Sequence, residues 1–251
     1  MSEADAFPFE LRDETEFARA TENDVHLIRK GHRCRTDTRG LPTPQGRSPF
    51  EIWVDATEGF VPLWEPNMIL RYRFEAQSLK RFRDPEAVKA SIRQLFGEGV
   101  MAWGDSAPIR FAERTDSYDF EFVVRNADDC DINGCVLASA FFPDQGQHKF
   151  VIYPEMFRQS RAEQVETMIH EIGHIFGLRH FFANVSERAW PAELFGENSK
   201  FSIMNYGADS YLTPADKADL KNLYAAVWAG RLDNVNGTPI RLMKPFSTAR
   251  S

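Results

Sequence analysis

Alternation of apolar and polar residues predicts most of the strands in this chain. Phe50–Asp55 and Tyr118–Val124 alternate in this way, which is typical of a strand with one buried face. Other short runs rich in β-branched and aromatic residues follow the same pattern. The predicted strands are Phe50–Asp55, Met68–Phe74, Ile109–Glu113, Tyr118–Val124 and His148–Tyr153, with a loop and short strand in Gly134–Pro143.

A long helix is predicted between the second and third of these strands. Asp84 stands as an N-cap before Pro85, and helical apolar spacing follows. The pattern predicts a helix that reaches Trp103, with strain at Gly97 and Gly99 because glycine weakens a helix interior.

Two later helices begin at capping boxes, in which a hydroxyl residue is followed three positions later by an acidic one. Ser160 and Glu163 open the first, and the helix that begins after Thr213 continues to about Ala229. Strand, helix, several strands and helix is the order expected of an α/β or α+β fold.

The helix that begins after Ser160 contains the sequence HExxH, with His170, Glu171 and His174. The two histidines lie one turn apart on the same face, so both imidazoles can reach one Zn²⁺ at roughly 2.0–2.1 Å. Glu171 lies about 100° further round the helix, where it can flank the metal and accept a proton from zinc-bound water.

Gly177 and His180 extend the motif to HExxHxxGxxH. Glycine accepts the left-handed conformation that ends a helix, so the chain can turn back and His180 can supply a third nitrogen. Three protein ligands with an open fourth position are the pattern of a catalytic zinc site. The alternative is an amphipathic helix that carries histidines on its polar edge.

Composition limits the other possibilities. The chain has 251 residues, 43% of them hydrophobic, which suits one catalytic domain with additional residues at its ends. The net charge of −7 predicts no nucleic-acid partner. No apolar run is long enough to span a bilayer, and the acidic start lacks a signal sequence, so localisation stays open.

The three cysteines do not define a compartment. Cys130 and Cys135 lie in a loop-like stretch where either a short disulfide or two free thiols are possible. Cys34 is the third, between Arg33 and Arg35.

The segment HEIGHIFGLRH resembles the zinc signature of the metzincin metallopeptidases, and a second feature of that clan follows downstream. Ser202–Tyr206 resembles the Met-turn, in which Met204 would lie beneath the zinc as a hydrophobic floor. Tyr206 matches the tyrosine of astacins and serralysins, which implies hydrogen bonding to the oxyanion of the tetrahedral intermediate. Matrixins have proline at that position.

The order of the elements resembles a matrixin-like metzincin. The resemblance implies a zincin fold: a twisted mixed sheet with a long helix and an active-site helix, and a small C-terminal subdomain with the Met-turn and a closing helix. It covers a catalytic domain of residues 51–229, with the cleft between 51–177 and 178–229. Residues 1–50 are an N-terminal extension and 230–251 an irregular tail. The family's substrate lies antiparallel to the final strand, and the residues carried over are Phe150, Val151, Ile152 and Tyr153.

The chain departs from the matrixin pattern at several positions. Ser139 stands where matrixins have a histidine for a second, structural zinc, so one zinc ion is predicted. Asp128 and Asp129 could hold calcium through carboxylate oxygens, but a solvated acidic turn is favoured. Phe181 matches none of the residues that the major metzincin families have after the third histidine, which leaves the subfamily open.

The favoured function is a zinc-dependent endopeptidase that acts on protein or peptide substrates, with a monomer as the default state. An alternative is a zinc-binding domain that recognises proteins without cutting them. Another is a latent zymogen in which residues 1–50 block the metal, because Cys34 resembles the matrixin propeptide cysteine that ligates zinc. The resemblance also implies secretion.

Overall fold

The computed structural model describes residues 60–131, 134–178, 203, 211–235 and 238–248. Short 3-10 turns cover Gly104–Ser106, Pro154–Arg158 and Phe246–Thr248. The strands are β1 (Val61–Trp64), β2 (Ile69–Phe74), β3 (Arg110–Glu113), β4 (Phe120–Val124), β5 (Asp129–Asp131), β6 (Gly134–Val136), β7 (Ala138–Ser139), β8 (His148–Ile152), β9 (Asn234–Val235) and β10 (Thr238–Met243). The helices are α1 (Ala76–Leu79), α2 (Pro85–Trp103), α3 (Arg161–Ile175) and α4 (Pro214–Trp228).

Among the described residues, the main sheet has five strands in the order β3-β2-β4-β8-β7. The first four are parallel to their neighbours, whereas β7 runs antiparallel to β8. The expected α/β fold, a mixed sheet with a long helix and a helix that carries the HExxH sequence, is therefore confirmed.

Alternating residues of β4 and β8 bury the two faces of this sheet separately. Phe122 and Phe150 point into the main core with the helices. Val123 and Val151 point to the other face, where they cluster with Val136 of the β5–β6 hairpin. Because successive side chains of a strand point to opposite faces, one face of the sheet packs against the helices and the other against the hairpin.

Helices α2 and α3 cross at very short range. A Cβ atom added to Gly99 would lie 2.9 Å from Ile172 Cδ1 and 3.0 Å from Met168 Cβ, so the crossing requires glycine at this position. The indole of Trp103 donates a hydrogen bond to the Ile169 carbonyl, at 3.1 Å. Thus α2 packs against α3 and holds it at Ile169, the residue that directly precedes the HExxH sequence.

The predicted helix starts are confirmed in detail. The Asp84 carboxylate accepts from the Ala87 amide, and α2 ends at Trp103 as expected. Both capping boxes form, at Ser160 and at Thr213. None of the described helices has the length and apolar character needed to cross a bilayer.

The tail that was predicted to be irregular, residues 230–251, instead forms two strands and a 3-10 turn. β10 pairs in parallel with β1, from Val61 opposite Ile240 to Trp64 opposite Met243, and β9 pairs with β10. The prediction of an irregular tail is wrong because it used only local patterns, whereas the partner of β10 is almost the whole domain away in sequence. The predicted strand Phe50–Asp55 lies outside the described residues.

Candidate active site

The motif residues lie in the second half of α3, where the helix enters the core. Ile172 and Ile175 of this helix are fully buried, which anchors it beneath the sheet. His174 has no exposed surface and Glu171 is 2% exposed, whereas His170 is partly buried. The helix therefore places two imidazoles and one carboxylate in a largely water-excluded position.

The two imidazole rings lie close together at right angles. Their centroids are 4.9 Å apart with an interplanar angle of 82°. His170 Nδ1 lies 2.7 Å from the Ile203 carbonyl oxygen, and His174 Nδ1 lies 2.7 Å from that of Leu178. Because a carbonyl oxygen can only accept, each Nδ1 carries the proton, and Nε2 is the unprotonated nitrogen of the neutral ring.

Gly177 ends α3 in a left-handed conformation with φ of +90°. The Leu178 amide donates to the Gly173 carbonyl at 2.9 Å, and the Gly177 amide donates to His174 at 2.8 Å. These two bonds form a Schellman motif. Any side chain here would also meet Leu63 Cδ2 at 2.9 Å and the Pro62 carbonyl at 3.0 Å. Both the left-handed backbone conformation and the lack of room for a Cβ atom therefore require glycine at position 177.

The Gly177 turn also orients a histidine. The Schellman motif brings the Leu178 carbonyl back over the last turn of α3, where it accepts from His174 Nδ1. The carbonyl partners of both histidines were not identified from sequence, since any residue can supply a carbonyl. The spacing of Gly177 was the only available signal.

β7 is the outer strand of the main sheet beside this site. The sequence predicted Phe150–Tyr153 as the edge for substrate, but Val151 and Ile152 pair with β7 on one side and with β4 on the other. The Tyr153 amide likewise donates to Leu137. Because one side of β8 is covered, the predicted edge is wrong, and β7 is the outermost of the described strands.

The chain that follows β7 contacts the motif directly. The Phe142 ring packs edge-on against His174, with the centroids 5.3 Å apart and an interplanar angle of 81°. The outer strand and the two histidines therefore belong to the same region of the molecule.

Several predicted site residues lie outside the described residues. His180, Met204, Tyr206 and Cys34 are among them, as is Phe181. Ile203, the neighbour of Met204, is described and 1% exposed, and its carbonyl is the partner of His170. The roles assigned to the four residues stay predictions, and so does inhibition by residues 1–50.

Two further sites were considered from the sequence. Cys130 and Cys135 form a disulfide across the β5–β6 hairpin, so they are not two free thiols.

The carboxylate of Asp128 accepts hydrogen bonds from the Glu155 amide and from Arg158, both at 2.6 Å, so its oxygens are occupied by protein donors. Within the described ranges no three His, Cys, Asp or Glu residues are grouped to hold a metal ion. The preference for a solvated acidic turn over calcium and the single zinc inferred from Ser139 both stay predictions.

Comparison with known proteins gives one family. The family model of the matrixins, Peptidase M10, matches residues 63–189, about half of the chain. Solved structures similar to the chain include high choriolytic enzyme 1, a hatching enzyme zinc-protease from Oryzias latipes (Medaka fish), with 14% identity and a TM-score of 0.40, covering 70% of this chain and 98% of that one. Myroilysin has 14% identity and a TM-score of 0.39, covering 64% and 95%. No curated protein matches the sequence.

Proposed function

Because the chain belongs to the matrixin family and is thus a zinc metalloendopeptidase, we propose that its HExxHxxGxxH segment holds the zinc ion and performs the hydrolysis. The ligands in this proposal are His170, His174 and His180. Protein or peptide is the substrate. Family membership favours hydrolysis over a domain that only recognises proteins.

The two described histidines fit a zinc ion. Each donates its Nδ1 proton to a backbone carbonyl at 2.7 Å, so each offers Nε2 to a metal. Metal-bound histidines in proteins are generally held in this way, by a hydrogen bond from the second ring nitrogen. This pair of hydrogen bonds is the observation that carries the proposal. The Gly177 turn supports His180 as the third ligand, because it ends the helix three residues before it.

Glu171 is proposed as the general base. A zinc ion at this site supplies Lewis acidity, which polarises a peptide carbonyl and lowers the pKa of water toward about 7. The Glu171 carboxylate takes a proton from the attacking water and delivers it to the leaving amine. Glu171 is 2% exposed, so bulk water screens its charge little.

The Met-turn residues complete the proposal. Tyr206 would donate its phenolic hydrogen to the oxyanion, and Met204 would form the apolar floor of the site. The hydrogen bond from His170 to Ile203 supports this, because it brings the start of the Met-turn segment to the motif helix.

The substrate strand is proposed to pair with β7 instead of β8. Tyr153 donates to Leu137 and Ala138 pairs with Ile152, so hydrogen bonds to β8 are made on either side of Ala138. Because bonding alternates along an antiparallel strand, the amide and carbonyl of Ala138 face away from β8. An extended peptide can add to that side as a further strand.

The test is the Glu171→Gln variant, which removes the basic carboxylate and keeps the side-chain volume. We expect peptide hydrolysis to fall by about 10²–10⁴-fold, the usual contribution of general acid–base catalysis. Zinc content should stay the same, because the three histidines are unchanged. Turnover of a quenched peptide and metal content by mass spectrometry measure the two quantities.

Glu166→Gln is the matched control, since Glu166 is an exposed residue of the same helix. Its turnover should equal that of the unchanged protein. A Glu171→Gln variant that cleaves at the original rate would refute the proposed role of this carboxylate. Loss of zinc from the same variant would instead make Glu171 part of the metal site.

A further inference from the structure

The C-terminal end of α3 is held by side chains from two other elements. The carbonyls of Ile172, Gly173 and His174 accept from backbone amides of the helix end. Ile175 and Phe176 follow, and they are fully buried. The Trp64 indole donates to the Ile175 carbonyl at 2.6 Å, and the Tyr224 hydroxyl donates to the Phe176 carbonyl at 2.9 Å.

The two donors are themselves linked. The Trp64 amide donates to the Tyr224 hydroxyl at 3.3 Å, so this one hydroxyl joins β1 to the end of α3. The Trp228 indole donates to the Trp64 carbonyl at 2.9 Å, and its ring packs edge-on against Tyr224. Trp64 and Tyr224 are buried, with 0% and 2% of their surface exposed. We call this pair, Trp64 and Tyr224, the aromatic clamp.

The aromatic clamp acts on the residues that set the orientation of His174. Ile175 and Phe176 lie between His174 and the Gly177 turn, and that turn brings the Leu178 carbonyl onto His174 Nδ1. β1 touches the turn a second time, because Leu63 Cδ2 and the Pro62 carbonyl enclose Gly177. Movement of the Leu178 carbonyl would change both the orientation of the His174 ring and its preference for a proton on Nδ1.

We propose that Trp64 and Tyr224 are positioning residues of the zinc site, which hold the end of α3 so that Leu178 fixes the His174 ring. This inference rests on the proposed function, since it concerns the same histidine. In this proposal the clamp contacts neither substrate nor metal. It works through four consecutive residues of the helix end, His174 to Gly177, and through the carbonyl that follows them.

The Tyr224→Phe variant tests the proposal, because it removes one buried oxygen and keeps the ring. Ser78→Ala is the matched control. The buried Ser78 hydroxyl also donates to a carbonyl, that of Glu75, and accepts from an amide, that of Val124. These bonds join α1 to β4 and do not involve α3. Both variants therefore lose the same kind of buried interaction at different places.

We expect Tyr224→Phe to raise the zinc dissociation constant about tenfold, the lower end of the effect seen for residues that orient metal ligands. In the metal-free protein, hydrogen exchange at the Gly177 and Leu178 amides should accelerate about tenfold. Ser78→Ala should change neither quantity by more than about twofold, although its melting temperature falls. Chelator competition and exchange mass spectrometry measure the two effects.

Equal zinc affinity in Tyr224→Phe and the unchanged protein would overturn the inference, and so would an equal loss in Ser78→Ala. If Tyr224→Phe does not fold, Trp228→Phe replaces it as the test. The loss of the hydrogen bond from Trp228 to Trp64 should raise the zinc dissociation constant about threefold. An unchanged dissociation constant in Trp228→Phe would also overturn the inference. If the unchanged chain binds no zinc, the proposed function fails. Zinc binding that is insensitive to the clamp leaves that function intact.

Discussion

His170 and His174 owe their orientation to contacts of very different range. The partner of His174 is Leu178, four residues away, and the turn at Gly177 is enough to bring the two together. The partner of His170 is Ile203, which is 33 residues away in sequence. His174 can therefore be oriented as soon as α3 ends correctly, whereas His170 requires the downstream segment to pack against the helix. The site is complete only in the folded domain.

Asp219 is an ionisable residue in an unfavourable place. It lies on α4 with 4% of its surface exposed, one turn from Asp216, which is fully buried and caps the helix through Thr213. Burial, together with the negative charge of Asp216, raises the pKa of Asp219 from its usual value to about 7. Folding therefore disfavours the ionised form of this carboxyl.

Stability should consequently fall as the pH rises from about 4 to about 7. The unfolded chain releases the Asp219 proton near pH 4, whereas the folded protein retains it up to about pH 7. Asp219→Asn removes this titration, so its melting temperature should exceed that of the unchanged protein by several degrees at pH 8. The gap should close toward pH 4. Thermal unfolding of both proteins between pH 4 and pH 8 measures this difference in melting temperature. A difference that is constant with pH would contradict the raised pKa of Asp219.

Among the elements, those with local signals were predictable from sequence. Asp84 and Pro85 mark the start of α2, and the hydroxyl–acid pairs mark those of α3 and α4, because capping involves residues that are neighbours in the chain. The motif likewise predicted that His170 and His174 lie on one face of the same helix, and their ring centroids are 4.9 Å apart.

Elements defined by distant partners were not predictable. β1 contains Pro62 and is buried throughout, so it shows no alternation, and its parallel partner β10 lies near the other end of the chain. β7 has only two residues, too few for any periodicity, yet it covers β8 and forms the outer strand. In the sequence, no local pattern distinguishes Trp64 and Tyr224 from other aromatic residues of the core. Strand order and long-range hydrogen bonds depend on the assembled fold.

The crossing of α2 and α3 distinguishes two glycines that look alike in the sequence. A methyl group at Gly97 would meet no atom within 4 Å, whereas at Gly99 it would meet Ile172 and the rigid Cβ of Met168. Gly97→Ala should stabilise the protein by about 0.5–1 kcal/mol, because alanine is the better helix former. Gly99→Ala gains the same propensity but adds overpacking of about 1–3 kcal/mol.

We therefore expect Gly99→Ala to be about 1–3 kcal/mol less stable than Gly97→Ala, as measured by urea denaturation. The pair shares the same helix and the same chemical change, so the difference isolates the helix crossing. Equal stability of the two variants would mean that α3 can move away from α2 at little cost. That result would remove Gly99 as a determinant of the helix spacing.

At the scale of the whole molecule, Asp119 connects the main sheet to the C-terminal segment. Asp119 is 1% exposed, and its carboxylate accepts from the Arg71 amide at 2.7 Å, from the Ser247 amide at 2.7 Å and from the Ser247 hydroxyl at 3.1 Å. The Asp119 carbonyl also accepts from the His148 amide, at the start of β8. One residue thus joins β2, β8 and the final 3-10 turn, so residues after β10 belong to the folded unit.

A double-mutant cycle can measure this connection. Asp119→Asn places an amide group against donor N–H groups, and a chain that ends after Pro245 lacks Ser247 while keeping β10. Each change alone should lower the free energy of unfolding by about 1.5–3 kcal/mol, the range for hydrogen bonds to a charged group. Together they should cost at least about 1 kcal/mol less than the sum, because both remove the same interaction. Urea denaturation of the four proteins provides the values. Strict additivity would show that the segment is held elsewhere, and β10 with its partner β1 would be the place to look, since Met243 of that strand is buried in the main core.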